Sequence, residues 1–131
     1  MEKMFYDCQN LLSIDGIKFF DTKKVTNMYG MFYNCKYLKN LDVSSFSTEN
    51  VVNMCKMFCQ CRNLFTINLL NFNTEKVENM CEMFSHCDNL YKLDLSKFNT
   101  ENVIYMSEMF SNCKNLLDIN ISCLILKILL Q

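Results

Sequence analysis

Ten methionines divide this chain into repeats, because they occur as five pairs at an almost constant interval. The pairs are Met1/Met4, Met28/Met31, Met54/Met57, Met80/Met83 and Met106/Met109. The first interval is 27 residues and the later ones are 26. A period of about 20 to 50 residues is typical of proteins that stack one small unit on the next. We therefore predict a single repeat array with units 1–27, 28–53, 54–79, 80–105 and 106–131.

Other residue types recur at the same step, and we call each set of equivalent positions a ladder. The clearest ladders are Phe5/Phe32/Phe58/Phe84/Phe110, Cys8/Cys35/Cys61/Cys87/Cys113, Leu11/Leu38/Leu64/Leu90/Leu116 and Thr22/Thr48/Thr74/Thr100. A unit of this size cannot bury its own apolar face, so neighbouring units must cover it. Most ladder residues are therefore expected in a shared core.

The first half of each unit has the apolar spacing of a helix. Val51, Met54, Met57 and Cys61 are three or four residues apart, which places them on one helical face. Thr48 precedes this run and is expected to cap the helix through its hydroxyl. The pattern predicts one helix per unit.

The second half of each unit alternates like a strand. Ile67 and Leu69 point inward if the segment is extended, while the residues between them point outward. Stacked units would pair these strands in parallel. The fold predicted is therefore α/β: a leucine-rich-repeat-type solenoid of five units, each a helix plus a short parallel strand.

The repeat motif also resembles that of a known family. The fourth unit shows it most fully, with Met80, Met83-Phe84, Cys87, Leu90, Leu93-Asp94-Leu95-Ser96, Phe98, Thr100, Val103 and Met106. This is similar to the repeat of BspA-like leucine-rich-repeat surface proteins of bacteria. The resemblance implies a curved solenoid at the cell surface or secreted, with a role in adhesion and no catalytic residues.

Both ends of the chain bear on that expectation. The first residues lack the basic-then-apolar pattern of a secretory signal. In the fifth unit Leu124, Leu126 and Leu129 replace the expected Phe, Thr and Val. Two interpretations of this tail are open: it is an apolar cap, or it is the end of a nonfunctional fragment of a longer repeat protein. Apolar ends also favour end-to-end self-association.

Composition excludes two classes of partner. Thirteen basic and 14 acidic residues give a net charge of −1, and no basic run is present to displace counterions from nucleic acid. The longest apolar stretch is far shorter than the roughly 20 residues that span a bilayer. We expect neither nucleic-acid binding nor membrane insertion.

Nine cysteines raise the alternative of a thiol or metal site. Five of them form a ladder, where a free thiol acts as a small buried apolar group. Cys55 and Cys59 are four residues apart, and Cys81 matches Cys55 one unit later. Three thiols in one area could bind Zn²⁺. This thiol- or metal-binding function is the alternative to a binding module; no other cofactor is predicted.

Catalysis is not predicted. His86 is the only histidine, and Asn34, Gln60 and Asn112 take its place in other units. It has no paired histidine or carboxylate in the repeat that would mark it as a general base. We expect the protein not to be an enzyme.

The residues between the buried strand positions are the candidate binding surface. Phe65, Tyr91 and Leu70 would form an exposed apolar anchor with a polar rim of Asp42, Asn68, Asp94 and Asn120. The rim residues could instead brace the backbone at the strand ends. The leading hypothesis is a non-catalytic interaction module that binds a protein or glycan on its concave strand face.

Overall fold

The computed structural model describes residues 1–124, so the predicted roles of Leu126 and Leu129 lie outside the described residues. Regular elements are few in this range. They are one turn of 3-10 helix, Ile17–Phe19, and two strands, β1 (Lys92–Asp94) and β2 (Asp118–Asn120). The strands pair in parallel, with Leu93 opposite Ile119. Most of the described chain consists of turns and loops.

Successive repeats are stacked by backbone hydrogen bonds that join equivalent segments. Met28 and Phe32 donate to the carbonyls of Asn53 and Met57 at 2.9 Å. The same bonds recur one repeat later. Isolated parallel bridges continue the contact, at Asn27–Asn53, Asn53–Asn79, Asn79–Tyr105 and Thr66–Lys92. Each repeat therefore satisfies many of its backbone groups through the neighbouring repeat, in addition to the local turn bonds within it.

The helix predicted for each unit is wrong. Within 51–61 the local bonds reach back three residues: Met57 donates to Met54, and Cys59 donates to Lys56. Lys56 and Gln60 have φ values of 58° and 62°. Left-handed conformations of L-residues occur singly and do not continue a right-handed helix. The chain therefore makes a succession of turns here, and its free N–H groups donate to the next repeat.

The predicted fold class is wrong for the same reason. The described residues contain no helix longer than three residues and only two three-residue strands, in one sheet. They do not form a leucine-rich-repeat solenoid of helix plus strand. The three-residue spacing of Met54, Met57 and the residues that follow comes from consecutive turns closed by bonds between residues three apart. Such turns bury every third or fourth residue, as a helix would.

The core contains the apolar ladders. Met54, Met57, Phe58 and Cys61 are fully buried. The phenylalanine rings stack nearly parallel along the repeats, with centroids 5.6 Å apart for Phe58 and Phe84. Because each ring covers the next, a unit buries its apolar side chains only against its neighbours.

The threonine ladder connects repeats and caps no helix. The Thr48 hydroxyl donates to the Asn73 carbonyl at 2.9 Å and accepts from the Asn73 N–H at 2.8 Å. Thr74 makes the same two bonds to Asn99. The predicted N-cap at Thr48 is wrong, because the hydroxyl bonds one repeat onward and not within its own segment.

Burial does alternate where strands were predicted. Ile67 and Leu69 are buried, whereas Thr66, Asn68 and Leu70 are exposed. Among residues 1–124, regular strand pairing nevertheless appears only at β1 and β2. The alternation places the outward-facing residues on one accessible surface.

Candidate binding groove

Two aromatic side chains lie exposed on this surface. Phe65 and Tyr91 are 56% and 43% exposed, and their rings stack 5.6 Å apart at an interplanar angle of 6°. The backbone holds them in line, because Tyr91 N–H donates to the Phe65 carbonyl at 3.0 Å. Leu117 continues the row through its N–H bond to the Tyr91 carbonyl at 3.2 Å.

These residues line an open groove of about 580 Å³. The lining residues are Lys39, Asn40, Asn63, Phe65, Asn89, Tyr91, Asn115 and Leu117. Lys39 is the one charged residue among them. The Phe65–Tyr91 pair, which the sequence predicted to be exposed, therefore lies in a groove. The residues that line this groove are mostly uncharged and partly apolar.

An asparagine ladder along the groove was missed from the sequence. The Asn89 side-chain amide donates to the Asn63 side-chain oxygen at 3.3 Å, and Asn115 donates to Asn89 at 3.4 Å. Asn63 is anchored by a bond to the Lys36 carbonyl at 2.7 Å. The signal was available, because each asparagine directly precedes a residue of the Leu64/Leu90/Leu116 ladder.

The other predicted anchor, Leu70, lies elsewhere. It lines a separate groove of about 240 Å³ together with Asn68 and Asp94. Asp42 and Asn68 line a third groove of about 390 Å³. Asn120 is the register partner of Asp94 across the two strands. The structure therefore brings Phe65 and Tyr91 together and separates them from Leu70.

The four predicted rim residues brace their own backbone. Oδ1 of Asp94 accepts the Ser96 N–H at 2.9 Å, and Oδ1 of Asn68 accepts the Leu70 N–H at 3.1 Å. Equivalent bonds join Asp42 to Ser44 and Asn120 to Ser122. Bonds from the Ser96 backbone and side chain hold the pKa of Asp94 below its ordinary value. Each rim residue thus has a turn-forming role in the structure.

The buried thiols bond to the backbone of the preceding repeat. The Cys61 thiol donates to the Phe32 carbonyl at 3.1 Å, and Cys87 donates to Phe58 at 3.1 Å. Desolvation by burial raises the pKa of both thiols well above the ordinary value. A protonated thiol is a poor nucleophile, so these groups serve packing and hydrogen bonding.

The metal site predicted as an alternative has no cluster of ligands among the residues that the structure describes. Within residues 1–124, no group of three or more His, Cys, Asp or Glu side chains is arranged to bind a metal ion. Burial raises the pKa of Cys59, which Ser85 of the next repeat lowers in part, whereas burial and then Cys81 raise the pKa of Cys55. The three thiols therefore do not converge on one point.

His86 occupies a turn with a φ of 58°. Its Nε2 lies 3.3 Å from the Asn112 side-chain nitrogen. The equivalent residues Asn34, Gln60 and Asn112 have the same left-handed conformation, which asparagine and histidine tolerate better than most residues. The residue therefore has a conformational role in the fold.

Comparison with known proteins identifies the family. The sequence model of a family described as "Mycoplasma protein of unknown function, DUF285" matches residues 1–122. The chain belongs to the DUF285 family. No curated protein and no solved structure matches this DUF285 chain.

The assignment to BspA-like leucine-rich-repeat surface proteins is therefore wrong. It rested on the Met, Phe, Cys and Leu spacing of this chain. The leucine-rich-repeat fold, which the residue spacing had also predicted, is wrong because of the structure itself. The surface location and the adhesion role were implied only by that resemblance and lose its support. No helix found within residues 1–124 of this DUF285 chain has the length and apolarity to cross a membrane.

Proposed function

We propose that this DUF285 protein is a non-catalytic binding module that holds a protein or glycan partner in the groove beside Phe65 and Tyr91. The observation that carries the proposal is the stacked pair of half-exposed rings. Comparable ring stacks at Phe58 and Phe84 are fully buried in the core. The exposed pair therefore contributes apolar surface that a partner can cover.

Rigid aromatic surface favours binding. Burial of apolar area contributes roughly 25 cal/mol per Å². Phe65 and Tyr91 are already aligned by the backbone bond between them, so little side-chain freedom is lost when a partner binds. A partner that covers the rings gains this energy with a small ordering cost.

The asparagine ladder supplies polar recognition. Side-chain amides contain both a donor and an acceptor, as peptide groups do, and they can bond either to a peptide backbone or to sugar hydroxyls. Asn63, Asn89 and Asn115 lie beside the aromatic row in the same groove. A mostly uncharged groove of this kind suits an uncharged peptide segment or a neutral oligosaccharide.

Two features support a non-catalytic role. Burial raises the pKa of Cys35 to about 12 and that of Cys59 to about 11, which keeps both thiols protonated and weakly reactive near neutral pH. His86 sits beside Asn112, an amide that does not titrate. Neither arrangement resembles an activated nucleophile–base pair.

Printed arrays of short peptides and of neutral oligosaccharides test the proposal. The full chain is compared with a Phe65→Ala/Tyr91→Ala double variant and with Phe19→Ala. Phe19 is 79% exposed and does not line the groove, so it controls for general stickiness of exposed phenylalanine.

We expect specific array signals from the full chain and from Phe19→Ala, and at least a tenfold loss in the double variant. Thermal unfolding of each variant shows whether it is folded. A folded double variant that binds like the full chain would overturn the groove assignment. Failure of the full chain to bind either array would overturn the proposed partner class.

A further inference from the structure

Cys55 and Cys81 occupy the same ladder position in neighbouring repeats. A parallel bridge joins Asn53 to Asn79, two residues before each cysteine. The Lys56 N–H then donates to the Cys81 carbonyl at 2.9 Å. Strands paired in this way lie about 4.8 Å apart, and disulfides join Cα atoms about 4.4–6.8 Å apart. The backbone spacing therefore suits a disulfide.

Side chains at this position face their equivalents in the next repeat. The Cys81 sulfur lies 3.2 Å from the Ser107 hydroxyl oxygen. Cys55 and Cys81 also share one local conformation, because their N–H groups donate to the side chains of Asn53 and Asn79 at 2.9 and 3.0 Å. Cys55 also lies close enough to Cys81 for the Cys81 thiol to contribute to the raised pKa of Cys55, after burial.

We propose that Cys55 and Cys81 are a modification site that forms a reversible inter-repeat disulfide by exchange with a small-molecule disulfide of the oxidised glutathione type. The Cys81 thiolate attacks one glutathione sulfur, breaks the S–S bond and releases one glutathione thiolate. The Cys55 thiolate then attacks the Cys81 sulfur and releases the second. The protein loses two protons and two electrons, and the oxidised glutathione becomes two molecules of reduced glutathione.

Access favours Cys81 as the first thiol to react. Cys81 is partly exposed, whereas Cys55 is 8% exposed and Cys59 is 2% exposed. Burial, and to a lesser degree the neighbouring Cys81, raises the pKa of Cys55. The Cys81 thiolate therefore attacks the soluble disulfide first. The Cys55 thiolate then attacks the Cys81 sulfur, to which the neighbouring repeat holds it close.

The other thiols are held differently. Cys8 and Cys113 are partly exposed beside Cys35 and Cys87, but Cys35 and Cys113 donate to the carbonyls of Phe5 and Phe84. Cys59 has Ser85 as its partner in the next repeat. Cys61 and Cys87 are neighbours on one ladder but are fully buried, and both donate to phenylalanine carbonyls. Selectivity follows from a thiol neighbour and access, together with the bonds to carbonyls that hold the ladder thiols.

The test incubates the reduced full chain with excess oxidised glutathione, blocks the remaining thiols, and maps cross-linked peptides by mass spectrometry without reduction. Cys81→Ser removes the proposed partner, and serine already occupies this position at Ser107. Cys59→Ser is the matched control, because it removes a nearby thiol outside the pair.

We expect two of the nine thiols to disappear, a mass loss of two hydrogens, and a Cys55–Cys81 cross-link that dithiothreitol reverses. Cys59→Ser should form the same link, and Cys81→Ser should form none. The proposal is overturned by nine free thiols, by a glutathione that stays attached to Cys81, or by a cross-link at another pair such as Cys8–Cys35.

Discussion

The hydroxyl of Thr48 makes two hydrogen bonds to one residue, the backbone N–H and the carbonyl of Asn73 in the next repeat. One side chain therefore satisfies both polar groups of a peptide segment that lies beside the core. Thr22 and Thr74 repeat the arrangement with Ser47 and Asn99. The threonine ladder joins the repeats as directly as their backbone bonds do.

Replacement of Thr48 by valine tests this role, since valine keeps the shape and removes the hydroxyl. The Asn73 N–H and carbonyl would each lose a partner, at a cost of about 1–3 kcal/mol for a buried group. Chemical denaturation should show a clear loss of unfolding free energy. Thr48→Ser should recover most of it, and exposed Thr26→Val should change stability by less than about 0.5 kcal/mol. Equal stability of Thr48→Val and the parent chain would exclude the role.

A glycine substitution distinguishes turns from a helix. Glu108 has a φ of 55°, a conformation that costs an L-residue roughly 1–2 kcal/mol. Glu108→Gly removes that cost but adds about 0.5–1 kcal/mol of chain entropy, so we expect no loss or a gain of up to about 1 kcal/mol. Glu49, which has no left-handed φ, is the matched control and should lose stability on the same change. Equal losses at both sites in urea denaturation would favour the helix.

The phenylalanine stack should dominate core stability. Phe58→Ala leaves a cavity between the rings of Phe32 and Phe84, and such truncations cost about 3–5 kcal/mol. Phe19→Ala removes the same atoms from a side chain that is 79% exposed and should cost little. Thermal unfolding monitored by circular dichroism makes the comparison. A similar melting temperature for both variants would contradict the assigned core.

Alkaline pH should destabilise the fold through its buried thiols. Burial raises the pKa of Cys35 from 9.0 to about 12. The unfolded chain therefore loses this proton first, so stability is complete below about pH 9 and declines as pH rises toward 12. Melting temperatures measured under reducing conditions should fall over this range. The fall should be smaller in Cys35→Ala, and an identical slope in both proteins would refute the contribution of this thiol.

The sequence was sufficient to predict the core but not the backbone path. The Met, Phe and Cys ladders are buried in the three central repeats, because a stacked repeat must bury its recurrent apolar positions against its neighbours. The conformation of Lys56 and Gln60 was not predictable from that spacing, since a series of three-residue turns and a helix bury the same positions. Neither residue is a type that signals a left-handed turn.

The candidate groove was predicted in part. Phe65 and Tyr91 stood out because apolar residues occupied an outward-facing position, and the structure places them in one groove. Leu70 appeared equivalent by alternation but lies in another groove. Its position depends on how the chain turns after the strand, where Asn68 bonds to the Leu70 N–H. A periodic pattern does not specify that local geometry.

One row of inter-repeat hydrogen bonds, which contains Met28, Met54 and Met80 as donors, runs in a single direction and gives that row an electrical polarity. The peptide group between Asn53 and Met54 accepts from Met28 in the repeat before it and donates to Asn79 in the repeat after it. Peptide dipoles in this row therefore add along the stacking axis, as they do along a helix. Their sense is the reverse of a helix. Carbonyl oxygens face the earlier repeats and N–H groups face the later ones, so the partial positive charge lies toward the C-terminal side.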